Sequence, residues 1–375
     1  MKNNKTLFII IASIIILIGC CIGIIFNKDK VEKFLNKDNS NVGNENIINT
    51  TLNNNQEEKI NYNQSDNGKV DIIDVNSNSR PYAVVVNNTA VAVKVQEGLN
   101  KAYVIYEIPT EGNTSRLLAL YKDIQEDLVI GTITSARHDF IDYALESDAI
   151  FCCFGWSHYA EKDMKAGSID YLQGLFGYPY YRNNPENLVT EHTAYTSMSK
   201  LKDAAQKKGF KTTTQKGSLL KYNTGDVDLS TASNVKQANI VTIPYGAAPQ
   251  IASFKYNEKT KMYVRYENSN KCIDHNTKED VTTKNIIVQK STYSKSSDNY
   301  YWDLNTTGSG EGYFITNGYA VAITWSKENR SSKTKYCYAK GTIINGQDVG
   351  GQEIEVSDGR TWIEIQTKDQ KLTIN

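Results

Sequence analysis

The longest apolar run of the chain lies at its N-terminus. Residues 7–26 carry no charge and are mostly Ile and Leu, and they directly follow Met1, Lys2 and Lys5. At about 1.5 Å of helical rise per residue, such a run spans about 30 Å, the thickness of the hydrocarbon core of a bilayer. The pattern predicts that residues 1–26 form a signal anchor, an uncleaved transmembrane helix that holds the protein on a membrane.

The same segment also fits a lipoprotein signal. Leu17-Ile18-Gly19-Cys20 matches a bacterial lipobox, in which Cys20 would be lipidated and become the first residue of the mature chain. The apolar run continues past Cys20, however, whereas a cleaved signal has an apolar region of only about 7 to 15 residues. Both alternatives stay open. In either case we expect the rest of the chain outside the cell membrane, because short basic N-termini usually stay in the cytoplasm.

Polar residues dominate the next segment, 27–79. Asn is its commonest residue, with Ser, Asp, Lys and Glu between and few aromatic residues. Because this composition buries too little apolar surface to offset the entropy of ordering, we expect a disordered linker. The residues that follow are too many for one hydrophobic core. A weakly periodic stretch between about 210 and 240 predicts two domains, 80–215 and 238–370.

The first domain has the pattern of a mixed α/β domain. Helical spacing predicts one helix capped by Thr134 or Ser135 and another from about 197 to 208, which ends before Gly209. Short apolar runs between turn residues predict strands at 82–86, 103–108, 116–121, 128–130 and 149–154.

The second domain reads as mostly β. Residues 253–256 and 262–266 flank a polar turn and predict a hairpin, and further strands are expected at 286–288, 319–325 and 361–365. The fold class that follows is α+β: an N-terminal mixed α/β domain and a mostly-β C-terminal domain, on an N-terminal membrane anchor.

Charge and motif content exclude several functions. The 42 basic and 42 acidic side chains balance, so no nucleic-acid partner is expected. Cysteine and histidine show no metal-ligand spacing, and nucleotide-binding motifs are missing, so neither a metal nor a cofactor is predicted. The adjacent Cys152 and Cys153 are expected to be buried, inert thiols. Whether Cys272 and Cys337 form a disulfide stays open.

Ser157 is a candidate nucleophile. It follows the predicted strand 149–154 and begins a possible helix, the position of a hydrolase nucleophile. That pattern requires glycine two residues later, where this chain has Tyr159. A helix N-cap is the competing interpretation.

A second group of candidates surrounds a predicted hairpin. Glu107 and Glu111 lie at one end of it, and Arg116 begins the next strand. Arg137 lies at the start of a predicted helix, an unfavourable place for a cation, so it calls for an acidic partner or an anionic ligand. An internal salt-bridge network is the competing interpretation.

Several short motifs follow one another in a fixed order between residues 80 and 367. They include Arg80-Pro81, Gln96-Glu97-Gly98-Leu99, Thr114-Ser115-Arg116, residues 131–137, residues 192–197, residues 284–288, Thr324-Trp325-Ser326-Lys327 and Thr361-Trp362-Ile363. This ordered set resembles the YerB-like family, which comprises two-domain bacterial envelope proteins, commonly lipoproteins, without an assigned activity. The resemblance implies an envelope location and raises the expectation of lipidation at Cys20.

Three functions remain open. The first is a non-enzymatic module that binds a cell-wall polymer, a peptide or an envelope protein; its 24 tyrosines supply amphipathic contact surface, and the ligand-binding candidates are Arg116, Trp156 and Tyr195. The second is a cell-wall-directed hydrolase or transferase, in which a Glu or His acts as general base. Its catalytic candidates are Glu107, Glu111, Arg137, Ser157 and His192. The third is an assembly factor that contacts membrane proteins through the anchor.

Overall fold

The computed structural model describes residues 70–184, 186–246 and 250–375. These ranges lie within one compact unit, residues 60–375. The predicted anchor, the Cys20 site and most of the predicted linker lie outside the described residues. Within the described ranges, none of the helices is both long enough and apolar enough to cross a membrane.

The N-terminal half of the described chain alternates strands with three α-helices. The helices are α1 (His138–Leu145), α2 (His158–Lys165) and α3 (Met198–Lys207). The strands are β1 (Tyr82–Asn87), β2 (Val104–Thr110), β3 (Thr114–Tyr121), β4 (Val129–Gly131), β5 (Ile150–Cys153), β6 (Tyr171–Gln173), β7 (Tyr181–Arg182) and β8 (Ala194–Ser197).

The C-terminal half consists of strands and turns in its described ranges. Its strands are β9 (Lys236–Gln237), β10 (Ile240–Tyr245), β11 (Gln250–Asn257), β12 (Met262–Glu267), β13 (Asn270–Lys271), β14 (Thr282–Thr283), β15 (Asn285–Ser291), β16 (Tyr293–Lys295), β17 (Trp302–Leu304), β18 (Gly308–Thr316), β19 (Tyr319–Lys327), β20 (Lys335–Tyr338), β21 (Ile343–Ile344), β22 (Gln347–Asp348), β23 (Thr361–Thr367) and β24 (Thr373–Ile374).

One 11-stranded sheet runs through both halves, in the order β20-β19-β18-β15-β23-β2-β3-β1-β5-β6, with β9 beside β19. Strand β23 lies between β15 and β2 and is parallel to both. The two halves of the chain are therefore joined by backbone hydrogen bonds within a single sheet. A smaller sheet, built on β10, β11 and β12, belongs to the C-terminal half.

Hydrophobic residues cover the large sheet on both faces. Along β1, Ala83 and Val85 face one core, whereas Val84 and Val86 face the other. Helices α1 and α2 cover the first face, and α3 and the smaller sheet cover the second. A strand buried on both faces can be apolar at every position, which explains the continuous apolar runs in the sequence. Both cores are built within the described residues, so this part of the chain has what it needs to fold on its own.

The predicted elements of the sequence are present. The fold is α+β and mostly β, and the predicted strands and the two predicted helices are confirmed, as is the hairpin formed by β11 and β12. The expected cap at Thr134 or Ser135 is wrong, because α1 begins at His138 and Arg137 occupies its N-cap position without a capping side-chain hydrogen bond. Cys152 and Cys153 are buried thiols, as expected. Cys272 and Cys337 are free thiols, so they do not form a disulfide.

A buried ionic cluster joins the two halves at β2, β12 and β23. The Arg265 guanidinium donates to Glu107 at 2.6 Å and to Glu267 at 2.9 Å, and all three side chains are at most 2% exposed. Glu364 is opposite Glu107 in the β2–β23 register, and its Oε2 accepts from the Tyr245 hydroxyl at 2.5 Å. Three carboxyl groups thus surround a single arginine.

Two of these carboxyl groups keep their protons. Burial raises the pKa of Glu267 to about 8, because desolvation outweighs the attraction of Arg265. Burial and the neighbouring Glu107 raise the pKa of Glu364 well above its usual value. Arg265 and Glu107 then form the ion pair, while Glu267 and Glu364 remain neutral.

Replacing Arg265 tests the ion pair. We expect Arg265→Met to lower the free energy of unfolding by about 3–5 kcal/mol, because the Glu107 carboxylate is left buried without its cation. Lys271→Met serves as the control, since Lys271 forms an exposed pair with Asp280 and should cost less than about 1 kcal/mol. Urea denaturation of a fragment of residues 60–375 measures both. Equal losses in the two variants would contradict the assigned role of Arg265.

The raised pKa of Glu267 predicts a pH dependence of stability. The folded state holds this proton up to about pH 8, whereas the unfolded carboxyl releases it near pH 4.5. The contribution of the protonated Glu267 carboxyl group to the free energy of unfolding is therefore full below pH 4.5 and is lost as the pH rises towards 8. We expect Glu267→Gln to gain stability relative to the unchanged protein between pH 5 and 8 in urea titrations. A stability difference that stays constant with pH would show that Glu267 is ionised in the folded state.

Candidate functional site

The candidate site lies where three parallel strands end. Strands β1, β5 and β6 are parallel neighbours, so their carboxyl ends meet at one edge of the large sheet. Open α/β sheets bind ligands in the crevice outside such an edge. Here Asn87 ends β1, Phe154 and Gly155 follow β5, and a single helical turn, Gly174–Phe176, follows β6.

A cleft of about 310 Å³ opens at this edge. Most of its lining is polar, and hydroxyl, amide and charged side chains outnumber apolar ones. The lining residues are Asn87, Thr89, Thr114, Ser115, Arg116, Ile133, Thr134, Ser135, Phe154, Gly155, Leu175, Arg182, Glu191 and His192.

Two arginines give the cleft its positive charge. Arg182 is exposed, donates to the carbonyl oxygen of Thr190 at 2.5 Å, and lies with its guanidinium carbon 4.3 Å from the centre of the Phe154 ring. Arg116 is largely buried and donates to the carbonyl oxygen of Ser135. Burial, followed by the charge of Arg137, lowers the pKa of Arg116 to about 10. Arg116 is therefore charged at neutral pH.

His192 forms part of the cleft wall. Its Nδ1 lies 2.9 Å from the Asn87 amide nitrogen, and its Nε2 lies 3.4 Å from the Glu191 carboxylate. An amide nitrogen only donates hydrogen bonds, so Nδ1 accepts and any ring proton of neutral His192 resides on Nε2. The imidazole thus presents a donor on its Nε2 side.

An ion pair lies next to Arg116 of the cleft. Arg137 Nε donates to Glu111 at 2.9 Å, its Nη2 contacts the second carboxylate oxygen, and Arg116 lies 3.9 Å from the same group. Burial opposes the ionisation of Glu111, but the hydrogen bonds and charge of Arg137 outweigh it and lower the pKa. One carboxylate is thus shared by two arginines. The single negative charge of Glu111 cannot balance both guanidinium groups. A positive charge therefore remains at Arg116, and an anion bound in the cleft would compensate it.

The remaining sequence candidates lie away from the cleft or beneath it. Glu107 is fully buried and accepts from Ser115 Oγ at 2.6 Å, which places it under the cleft floor. Ser157 is 1% exposed, and its hydroxyl caps α2 by accepting from the Ala160 N–H at 3.2 Å. Tyr195 is buried and donates to the Val95 carbonyl oxygen at 2.7 Å. Trp156 packs edge-on against Tyr171 and Phe176.

Of the eight residues predicted as catalytic or ligand-binding, Arg116 and His192 therefore line the cleft together. The competing interpretations hold for two others, since Ser157 is a helix N-cap and Arg137 pairs with Glu111. Sequence reasoning missed Arg182, Asn87 and Ser135. The position of Asn87 at the end of an apolar strand was an available signal, but the two-residue strand that carries Arg182 has no periodicity.

Taken together, the shared sheet and the cation-lined cleft define a two-module α+β protein with a ligand-sized crevice at the carboxyl edge of its strands. Two family models match the chain: the N-terminal domain of the family described as "Protein of unknown function (DUF3048)" over residues 68–211, and its C-terminal domain over residues 241–363. The chain belongs to this family.

A relative and a solved structure support this assignment and confirm the YerB-like resemblance. The chain is 29% identical to the "Putative lipoprotein YerB" of Bacillus subtilis over 290 residues. This alignment covers 76% of this chain and 81% of the relative. The crystal structure of the YerB protein from Bacillus subtilis matches with a TM-score of 0.62 and 26% identity, over 76% of this chain and 90% of that one.

The role of Ser157 can be tested by removing its hydroxyl. We expect Ser157→Ala to lower the free energy of unfolding by about 1 kcal/mol through loss of the N-cap, and to leave ligand binding unchanged. Ser309→Ala, at an exposed strand position, is the control and should change neither. Thermal denaturation and cell-wall binding measure the two effects. If the unchanged protein hydrolyses cell-wall material and Ser157→Ala loses that activity without losing stability, the nucleophile hypothesis is restored.

Proposed function

We propose that the chain is an envelope-associated binding protein whose cleft captures an anionic group on cell-wall material. The observation that carries this proposal is that Arg116, Arg182 and His192 line one polar cleft. Arginine forks suit carboxylate and phosphate groups, because their donors match two anionic oxygens at once.

The lining beyond the cations supports the same class of ligand. Asn87, Thr89, Thr114 and Ser135 bring amide and hydroxyl groups to the cleft. Such groups both donate and accept, as a polymer rich in hydroxyl and amide groups requires. Glu191, the one acidic lining residue, has a side chain that is 75% exposed and lies at the opening. The interior of the cleft thus favours an anion.

The envelope location rests on two supports. The similar Bacillus subtilis protein is named a lipoprotein, and this chain has Cys20 within a lipobox-like sequence. We infer that the chain is attached to the outer side of the membrane, and the comparison favours lipidation of Cys20 over the uncleaved anchor.

The hydrolase or transferase alternative has less geometric support. The candidate nucleophile Ser157 is buried and caps a helix, Glu107 pairs with Arg265, and Glu111 pairs with Arg137. A general base must come within hydrogen-bond reach of its target or act through one water. Of the proposed catalytic residues, only His192 lines the cleft.

Substitution of Arg182 tests the binding function, since this side chain is exposed and its loss leaves the cores intact. We expect Arg182→Gln to weaken binding of the 60–375 fragment to purified bacterial cell walls about tenfold, because a charge-assisted hydrogen bond is lost. Arg182→Lys keeps the charge and should lose less. Lys335→Gln, at an exposed position on β20, is the control.

One further arm of this experiment identifies the anionic group. Cell walls extracted with acid to remove phosphate-bearing polymers retain their carboxylates, so retained binding assigns a carboxylate and lost binding a phosphate. If the unchanged protein does not bind cell walls, or if Arg182→Gln binds as well as Lys335→Gln, the proposed function is wrong.

A further inference from the structure

Exposed apolar side chains are concentrated beside the cleft. Leu175, Phe176 and Tyr178, after β6, are 57%, 82% and 51% exposed, and Val189 is 63% exposed. These four, which we call the apolar tip, are among eleven large apolar side chains that are exposed in the described ranges, and Phe176 is the most exposed of all. Scattered single residues of this kind are ordinary on soluble proteins, but a group of them marks an interaction site.

The residues of the apolar tip share one neighbourhood. Leu175 lines the cleft together with Glu191, which is two residues after Val189. The Phe176 ring centre is 6.4 Å from that of Trp156. The turn is fixed by backbone hydrogen bonds, from Gly177 N–H to the Gly174 carbonyl at 3.0 Å and from Tyr180 N–H to the Gly177 carbonyl at 3.1 Å. The exposed side chains are therefore held out on a structured turn.

Lysines surround the apolar tip. The Tyr178 ring centre lies 4.8 Å from Lys207 Nζ and 5.9 Å from Lys200 Nζ. Lys165 lies 5.8 Å from the centre of the Trp156 ring. Residues 198–211, on and after α3, contain five lysines and one aspartate, although the chain as a whole has a formal net charge of zero. The acidic groups nearby include Asp203, which pairs with Lys207, Glu161, which pairs with Lys165 at 2.7 Å, and Glu191.

We propose that the apolar tip and its lysines form a docking site for an anionic lipid bilayer. Aromatic and aliphatic side chains of this kind enter the boundary between headgroups and acyl chains, while the lysine ammonium groups reach the anionic headgroups. Each lysine near such a surface contributes about 1 kcal/mol. Charge complementarity therefore selects an anionic membrane as the partner. The site shares Leu175 with the cleft, but membrane binding requires no ligand there.

The length of the preceding chain permits this contact. The sequence predicts a membrane attachment within residues 1–26, and residues 27–69 fully extended span at most about 155 Å. A tethered site needs little intrinsic affinity, since attachment raises its effective concentration at the surface.

Vesicle sedimentation of the 60–375 fragment, which contains both cores but not the predicted anchor, tests the proposal. We expect binding to vesicles of phosphatidylglycerol and phosphatidylcholine in equal parts, and little binding to phosphatidylcholine alone. Phe176→Ser should lower the partition coefficient about tenfold through lost apolar burial. Lys200→Gln should lower it about fivefold through lost attraction to the headgroups.

Matched controls separate this site from general adsorption. Ile343→Ser removes another exposed apolar side chain, 42% exposed on β21, and Lys335→Gln removes a lysine from β20; neither should change binding. The proposal is overturned if the unchanged fragment ignores both kinds of vesicle, or if Phe176→Ser binds as well as Ile343→Ser. It is equally overturned if sedimentation equilibrium shows a dimer that Phe176→Ser dissociates, because a second copy then covers the apolar tip.

Discussion

The buried pair of Arg265 and Glu107 is the interaction on which the joint between the two modules depends. Glu107 belongs to β2 of the N-terminal module, which matches the first family domain over residues 68–211. Arg265 belongs to β12 of the C-terminal module, which matches the second over residues 241–363, and both side chains are almost completely removed from water. A buried charge without a partner costs far more than a buried pair, so each module supplies what the other needs. Separating the two modules would expose the edge of β23 that pairs with β2, and it would leave Glu107 and Arg265 without their ion-pair partners. The joint is therefore polar at its centre and apolar around it, with Trp362 beside the guanidinium.

The same joint positions the floor of the cleft. Glu107 accepts hydrogen bonds from Ser115 Oγ and from the Asn88 amide, 2.6 and 3.0 Å away. Gln250, from the C-terminal module, donates to the Asn88 carbonyl at 2.5 Å and accepts from the Ser115 N–H at 2.9 Å. Ser115 lines the cleft, and Asn88 follows Asn87, which orients His192. The cleft is formed by N-terminal residues, but the C-terminal module holds its floor in place.

Local structure could be predicted from this sequence because strands such as β1 and β5 are nearly continuous apolar runs, and Ser157 and Gly209 mark helix ends. The pairing of β23 between β15 and β2 could not, since no local pattern states which distant strand will be a neighbour. The same limit applies to the site. Glu107 and Arg116 stand out in the sequence as charges within apolar strands, yet the partner of Glu107 lies in the other module. Arg182 reaches the cleft only because β7 pairs with β8, a two-residue pairing without a sequence signal.

One segment, residues 174–192, contributes residues to both the cleft and the apolar tip. Leu175 belongs to both, and Arg182, Glu191 and His192 follow within the same segment. If the tip rests on a bilayer, the mouth of the cleft lies at the headgroup level and not out in the wall. The anionic group would then be one that is presented close to the membrane. The two proposals constrain each other: a ligand found only in distant layers of the wall would be compatible with the cleft and incompatible with a docked tip.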